Sequence, residues 1–213
     1  TRTATLPILL DLARLATTPS PTLLAELAAG SRGHDWLMVS RMAPNKRVED
    51  VVKAFAIYRR AWSPDARLFL VGRPDTGRYE AALRGFVERL GIEGVRFAGR
   101  VSVADLMAYY RSADVLVSMS EHEGFGIPLL EAMACDLPVV AYAAAAVPET
   151  LGGAGLLFAE KRYDEVAALV ACLLDDPELR SRLAAAGRAR VAAFGPEQVA
   201  HDWVELLGSA GCA

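Results

Sequence analysis

The sequence predicts an α/β protein with a Rossmann-like parallel sheet flanked by helices. Short apolar runs rich in valine and leucine alternate with longer amphipathic stretches, which is the pattern of strands connected by crossover helices. The runs are apolar at almost every position, as expected of strands that are buried on both faces. The chain has 213 residues, 53% of them apolar, and is therefore long enough to bury one sizeable core.

Strands and helices are predicted in order along this alternation. The predicted strands are Trp36–Arg41, Arg67–Val71, Val95–Ala98, Val115–Ser118, Val139–Tyr142 and Gly155–Phe158. The predicted helices between them are Val48–Trp62, Tyr79–Leu90, Val103–Arg111, Pro128–Cys135 and Pro148–Leu151. The first helix has one apolar face, because its valine and phenylalanine residues recur every three or four positions.

The two ends of the chain depart from the alternating pattern. Residues 1–35 are predicted to form an interdomain connector with one short helix, Thr22–Ala29, that ends at Gly30. Residues 36–160 are predicted to form the Rossmann-like core. Residues 161–213 are predicted to add C-terminal helices packed on the same domain, at Tyr163–Leu174, Glu178–Phe194 and Glu197–Leu207.

Charge and hydropathy exclude several classes of partner. The net charge is −3, which provides no electrostatic surface for nucleic acid. No apolar run is long enough to span a bilayer, and no basic segment precedes a signal-like apolar core. We therefore expect no nucleic-acid partner, no transmembrane segment and a cytoplasmic location.

The segment from Glu123 to Glu131 carries the strongest functional signal. It reads Glu-Gly-Phe-Gly-Ile-Pro-Leu-Leu-Glu, a glycine-rich turn that opens into an apolar helix. Glycine lets a backbone turn tightly, and proline suits the first turn of a helix. The unpaired amides of such a helix start can hold phosphate or sugar oxygens. The two carboxylates would lie roughly 10–12 Å apart, about the span from the sugar to the ribose of a nucleotide sugar.

A second candidate cluster consists of Arg41 and Lys46, which follow the first predicted strand. Ligands of open parallel sheets collect beyond the carboxyl ends of the strands, where this loop is expected to lie. Lys46 and Arg47 also oppose the dipole of the helix that begins beside them, and a bound anion would relieve that conflict. The alternative is that such long side chains extend into water, which is the position expected for Arg47.

The segment from Glu123 to Glu131 closely resembles the E-x7-E motif of the family-4 (group 1) glycosyltransferases, retaining enzymes with a two-domain GT-B fold. The resemblance runs in order from Trp36 to Phe158. It implies that this chain is the C-terminal, donor-binding half of the GT-B fold. A complete enzyme would also have an N-terminal domain carrying the acceptor site, so this chain alone is expected to be inactive. Peripheral attachment to the inner membrane through that absent domain is left open.

The resemblance also implies roles for individual residues. Arg41 and Lys46 would clasp the donor diphosphate and stabilise the leaving group, Glu123 would meet the sugar hydroxyls and Glu131 would hold the ribose. Arg41, Lys46 and Glu123 are thus the catalytic candidates. The remaining donor-binding candidates are Gly124, Phe125, Gly126, Ile127, Arg100 and Val101, of which the last two would pack on the base.

No cofactor or metal is expected. The chain has no Asp-x-Asp pair, the usual carboxylate pair for a cation that chelates a nucleotide diphosphate. Arg41, Lys46 and the helix start would then supply the positive charge.

Three questions stay open at the level of sequence. The donor sugar is expected to be a hexose; the segment 43–47 is similar to mannosyl-transferring members and favours GDP-mannose, but a UDP-hexose is nearly as well supported. The chain could instead be an isolated nucleotide-sugar binding or structural module without activity. A GT-B sugar-nucleotide epimerase is less well supported, because such enzymes usually carry Ser-Gly-Gly where this chain has Gly124-Phe125-Gly126.

Overall fold

The computed structural model describes residues 10–209, and the predictions for residues 1–9 and 210–213 lie outside this range. The described chain contains a sheet of six strands in the order β3-β2-β1-β4-β5-β6, with every neighbouring pair parallel. The strands are β1 Asp35–Val39, β2 Arg67–Val71, β3 Val95–Gly99, β4 Val115–Ser118, β5 Val139–Tyr142 and β6 Leu156–Phe158. The predicted fold class and strand positions are confirmed, although β1 ends at Val39, two residues before the predicted end.

Helices connect and cover these strands. They are α1 Leu12–Leu15, α2 Pro21–Gly30, α3 Val48–Ala61, α4 Gly77–Leu90, α5 Val103–Ser112, α6 Ile127–Ala134, α7 Val147–Leu151, α8 Tyr163–Asp175, α9 Pro177–Ala192 and α10 Pro196–Ser209. The short helix α1 has no counterpart among the predicted elements. Among residues 10–209, no helix combines the length and the apolar character needed to cross a membrane.

The sheet is buried on both faces because successive strand residues point to opposite sides. Trp36 and Met38 of β1 belong to one apolar cluster, which α3 and α8 complete. Leu37 belongs to the other cluster, which includes residues of α5, α6 and α9. Gly187 lets α9 approach α6 closely, since a Cβ there would lie 3.1 Å from Met133 Cβ. The helices α8 and α9 pack against helices that cover the sheet, α8 on α3 and α9 on α6.

A buried ion pair ties the amino end of the sheet together. Asp35 at the start of β1 is 2% exposed, and its carboxylate accepts two hydrogen bonds from Arg67 of β2, at 2.7 Å from Nε and 2.5 Å from Nη2. Arg67 Nη2 also donates to the carbonyl of Leu27 in α2 at 2.8 Å. Burial raises the pKa of Asp35, an effect that Arg67 offsets only in part. Arg67 thus anchors α2 and neutralises a carboxylate in the core.

The strand order places a crevice at the carboxyl ends of β1 and β4. From β1 the chain proceeds outward through β2 to β3, then returns to add β4 on the other side of β1. The helices that follow β1 and β4, α3 and α6, therefore lie on opposite faces of the sheet. In open α/β sheets, such a switch point is where ligands bind.

Candidate functional site

Two loops face each other across this crevice, and they carry the residues predicted from sequence. The β1 loop, residues 40–47, contains Lys46, and the β4 loop, residues 119–126, contains Glu123. Lys46 Nζ lies 2.7 Å from Glu123 Oε1, and each side chain is only 16% exposed. Lys46 Nζ also donates to the carbonyl of His122 at 3.1 Å. The structure thus brings Lys46 and Glu123 into direct contact, although the sequence separates them by most of the Rossmann-like core.

Further hydrogen bonds join the two loops. The Glu121 amide donates to the Asn45 carbonyl at 3.0 Å, and the Ser120 hydroxyl donates to the same carbonyl at 3.3 Å. Because Ser120 is 1% exposed, this contact is shielded from water. The β1 and β4 loops therefore form one continuous platform at the carboxyl edge of the sheet.

Arg47 does not extend into solvent as the sequence led us to expect. It adopts left-handed backbone dihedrals, with φ 51°, at the position preceding α3. Its Nε lies 2.9 Å from Oδ2 of the buried Asp50, and its Nη1 lies 3.3 Å from Glu49. Acidic residues of the first turn of α3 therefore relieve the conflict between Arg47 and the helix dipole.

The glycine-rich turn after β4 forms the start of α6. Gly126 has φ 86°, and α6 begins at Ile127 with Pro128 in second position. Within residues 10–209, no acceptor is found for the backbone amides of Phe125, Gly126 or Ile127. The Phe125 carbonyl is held by the Thr150 hydroxyl. These amides are consequently available to oxygen atoms of a ligand at a positive helix end.

A narrow cavity opens beside this turn. It lies between the carboxyl ends of β1 and β4 and the first turn of α6, and it reaches Glu123. Its lining residues are Met38, Val39, Leu116, Val117, Ser118, Glu123, Gly126, Pro128 and Leu129. The cavity therefore coincides with the switch point of the sheet.

Gly126→Ala is expected to lower the free energy of unfolding by roughly 1–2 kcal/mol, because left-handed dihedrals disfavour a Cβ atom. The new Cβ would also lie 2.9 Å from Leu129 Cδ1. Chemical denaturation measures this loss. Gly124→Ala is the matched control, since its Cβ would meet nothing within 4 Å and the change should stay within about 0.5 kcal/mol. Equal losses of unfolding free energy in the two variants would contradict the left-handed backbone conformation of Gly126.

Glu131 lies in a more enclosed position than Glu123. It is 4% exposed, and its Oε2 accepts a hydrogen bond from the hydroxyl of Tyr110 in α5 at 2.7 Å. Its Oε1 lies 3.6 Å from Nη1 of Arg14 in α1. Burial raises the pKa of Tyr110, and the Glu131 carboxylate raises it further, so the hydroxyl remains a donor. No local sequence pattern indicates either partner, and contact of Glu131 with a ribose stays a prediction.

The other predicted site residues lie at the same edge of the sheet without joining the Lys46 contact. Arg41 is largely exposed, and its Nη1 lies 3.3 Å from Asp75 Oδ1. Arg100 directly follows β3 and is exposed, whereas Val101 is half-buried against the apolar cluster on the α6 face. Among residues 10–209, no group of three or more His, Cys, Asp or Glu side chains is arranged to hold a metal ion.

The fold is that of a known class of protein. The six-stranded parallel sheet with polar groups gathered at its switch point is the Rossmann-like architecture found in GT-B glycosyltransferase structures. The chain belongs to the family described as glycosyl transferases group 1, whose model matches residues 22–190.

Individual relatives agree with this assignment. The chain is 36% identical over 162 residues to a GDP-mannose-dependent monoacylated alpha-(1-6)-phosphatidylinositol monomannoside mannosyltransferase of Corynebacterium glutamicum, covering 72% of this chain and 41% of the relative. It is 32% identical over 213 residues to the D-inositol 3-phosphate glycosyltransferase of Kineococcus radiotolerans, covering 92% of this chain and 49% of the relative. The chain thus spans somewhat less than half the length of these relatives.

Solved structures show the same fold. Sucrose-phosphate synthase from Thermosynechococcus elongatus matches with a TM-score of 0.81 and 29% identity, over 98% of this chain and 53% of that one. Anabaena HepE, in complex with UDP and glucose, matches with a TM-score of 0.79 and 25% identity, over 94% of this chain and 55% of that one.

Proposed function

We propose that this chain is the donor-binding half of a retaining glycosyltransferase, which transfers a hexose from a nucleoside diphosphate sugar to an acceptor hydroxyl. The observation that carries the proposal is the 2.7 Å contact between Lys46 and Glu123, formed across the switch point of the sheet. A cation and a carboxylate held side by side suit a ligand that presents phosphate next to sugar hydroxyls. The available amides at the start of α6 lie on the same loop as Glu123.

Each group would have one role in the donor complex. Lys46 would leave Glu123 for the diphosphate, and Glu123 would accept hydrogen bonds from the sugar hydroxyls. The amides of Phe125, Gly126 and Ile127 would bind the sugar and the adjacent phosphate. Arg41 would add a second cation after leaving Asp75, and Arg100 and Val101 would contact the base.

Transfer would then need orientation and charge stabilisation more than a protein nucleophile. The bond between the anomeric carbon and the diphosphate oxygen breaks, the acceptor oxygen bonds to the same face of that carbon, and a phosphate oxygen takes the acceptor proton. Lys46, Arg41 and the α6 amides would stabilise the charge that develops on the leaving diphosphate. We propose that these groups supply this charge without a metal ion.

Binding of the ribose by Glu131 requires a rearrangement. In the structure, Tyr110 and Arg14 surround the carboxylate. Arg14 is the partner that a ribose would displace, because its side chain is 43% exposed, whereas Tyr110 is 1% exposed. A ribose would therefore displace Arg14 and retain the Tyr110 hydrogen bond.

Two donor classes have support. Mannose from GDP-mannose is supported by the mannosyltransferases among the relatives, which include a GDP-mannose-dependent enzyme at 36% identity and an O-antigen chain mannosyltransferase of Escherichia coli at 33%. A UDP-hexose is supported by the Anabaena structure that contains UDP and glucose. Because the chain spans less than half of its relatives, we propose that it binds the donor without transferring the sugar by itself.

A thermal-shift panel tests this function. The purified chain is heated with UDP, GDP, dTDP and ADP and with their sugar conjugates. A ligand present at 100 times its dissociation constant should add about 2.7 kcal/mol to the free energy of unfolding. We expect one nucleotide and its sugar conjugate to raise the melting temperature above the rest. If every nucleotide leaves the melting temperature unchanged, the chain is a structural module and the proposal is wrong.

A further inference from the structure

A buried carboxylate lies next to the platform formed by the β1 and β4 loops. Asp50, in the first turn of α3, is completely buried. Its Oδ2 lies 2.9 Å from Arg47 Nε and 3.3 Å from Lys161 Nζ. Its Oδ1 accepts hydrogen bonds from Lys53 Nζ at 2.9 Å and from the Tyr163 hydroxyl at 2.8 Å. Both carboxylate oxygens are therefore fully engaged.

This arrangement keeps Asp50 ionised. Burial by itself raises the pKa of a carboxyl group, but hydrogen bonds from Lys53, Arg47 and Tyr163 hold the pKa of Asp50 well below its ordinary value. A buried charge with this many donors is costly to leave unpaired and fixes the positions of its partners. Asp50 consequently orders three segments of the chain: the end of the β1 loop, α3, and the segment that precedes α8.

Two of the partners extend this order to the β4 loop. Lys161 Nζ lies 2.8 Å from Glu121 Oε1, and Arg47 Nε lies 3.4 Å from the same oxygen. Lys161 is further fixed above the ring of Tyr142, at 4.7 Å from its centroid. Glu121 is therefore clamped by two cations that Asp50 itself holds.

The clamped residues stand next to the residues of the proposed site. Arg47 is the neighbour of Lys46 in the chain, and Glu121 precedes Glu123 by two residues. The Asp50 cluster, defined as Asp50, Arg47, Lys53, Lys161, Tyr163 and Glu121, thus includes one residue of each loop of the platform. A loss of order in this cluster would let the two loops shift relative to each other.

We propose that Asp50 is a positioning residue, which holds Arg47 and Lys161, and through them Glu121, so that the loops carrying Lys46 and Glu123 keep their relative placement across the crevice. Its importance for donor binding rests on the function proposed above, because that function assigns Lys46 and Glu123 to the donor. Asp50 does not itself face the crevice. Its effect on a ligand is exerted through the placement of the two loops.

The test compares Asp50→Asn with Asp35→Asn. Asp50→Asn keeps the shape of the side chain but removes its charge and one acceptor. Asp35 is an equally buried carboxylate in an ion pair at the opposite end of β1, so Asp35→Asn reports the effect of general destabilisation. Two quantities are measured: the distance from Lys46 Nζ to Glu123 Oε1 in crystal structures, and the affinity of the folded protein for UDP-glucose and GDP-mannose.

We expect the Lys46–Glu123 distance to exceed 4 Å in Asp50→Asn, beyond ion-pair range. The affinity for the nucleotide sugar that binds the wild type should fall about tenfold or more, since a displacement near 1 Å in a binding site has effects of this size. Asp35→Asn should lower the melting temperature and leave both the distance and the affinity unchanged. Asp50→Glu should restore part of the affinity.

Three results would overturn the role of Asp50. One is an unchanged Lys46–Glu123 contact in Asp50→Asn, and another is wild-type affinity in that variant. The third is an equal loss of affinity in Asp35→Asn. If neither nucleotide sugar binds the wild type, the proposed function fails. The Lys46–Glu123 distance in Asp50→Asn then still decides whether Asp50 positions the loops. Should Asp50→Asn fail to fold, Lys161→Gln replaces it, because Lys161 joins Asp50 to Glu121 and is partly exposed.

Discussion

Replacing Lys46 with alanine is expected to lower the turnover of the proposed glycosyltransferase by about 100-fold to 1000-fold, the usual cost of losing one preorganised group that stabilises developing charge. Lys46 is already held in place before a ligand binds, by Glu123 at 2.7 Å and the His122 carbonyl at 3.1 Å. Once Lys46 has exchanged Glu123 for the diphosphate, its charge is in place before the leaving group departs. Steady-state kinetics of the complete enzyme and calorimetric titration of this chain measure the loss of turnover and of donor affinity.

Two comparisons separate this effect from general damage. Arg96→Ala removes an exposed arginine from β3 and should leave turnover and melting temperature unchanged. Lys46→Ala and Glu123→Gln should be non-additive in a double-mutant cycle, because the two side chains are in contact. Turnover near that of the wild type in Lys46→Ala, or strict additivity with Glu123→Gln, would contradict the placement of Lys46 in the donor site.

The second large effect is expected at the amino end of the sheet. Arg67→Met should lower the free energy of unfolding at neutral pH by about 3–5 kcal/mol, because it leaves the buried carboxylate of Asp35 without a partner. Methionine retains much of the packing of the arginine stem, so the loss reports mainly on charge and hydrogen bonds. Denaturant unfolding measures it through the shift of the midpoint.

The loss of unfolding free energy in Arg67→Met should also depend on pH. Burial already raises the pKa of Asp35 above its ordinary value of 3.8, and loss of Arg67 would raise it further. An acid whose pKa is higher in the folded state binds its proton more tightly there, so low pH favours folding. The loss of unfolding free energy in Arg67→Met should therefore be largest at neutral pH. It should shrink as the pH falls through the raised pKa of Asp35 in that variant.

A second substitution provides the control for Arg67→Met. Adding Asp35→Asn should restore most of the lost stability, since it removes the buried charge. Arg162→Met, which breaks an exposed pair with Glu165, should change stability by no more than about 0.5 kcal/mol. A loss of unfolding free energy below about 1 kcal/mol for Arg67→Met at neutral pH would contradict the role of Arg67 as the partner of the buried Asp35 charge. A double variant that recovers no stability would contradict it as well.

The fold was predictable because each strand is a short apolar run with a clear boundary. The contact between Lys46 and Glu123 was partly predictable. Parallel strands bring their following loops to one edge, and the motif after β4 singles out Glu123. The strand order that makes β1 and β4 neighbours is a tertiary property that local patterns do not encode.

The environment of the site was much less predictable. Asp50 meets Lys161 and Tyr163, which follow it by 111 and 113 residues, so no local spacing relates them. Arg47 was expected in solvent, but its left-handed backbone goes together with a side chain that binds Asp50. The enclosure of Glu131 depends on Tyr110 and Arg14, which lie on two other helices.

A crystal structure of this chain with its preferred nucleoside diphosphate sugar decides whether the crevice is the donor site. We expect the diphosphate in the crevice between β1 and β4, with Lys46 Nζ and the amides of Phe125, Gly126 and Ile127 within hydrogen-bond distance of its oxygens. Glu123 should have left Lys46 for the sugar hydroxyls. A nucleotide bound elsewhere on the domain, with the Lys46–Glu123 contact intact, would contradict the placement of the donor site in this crevice.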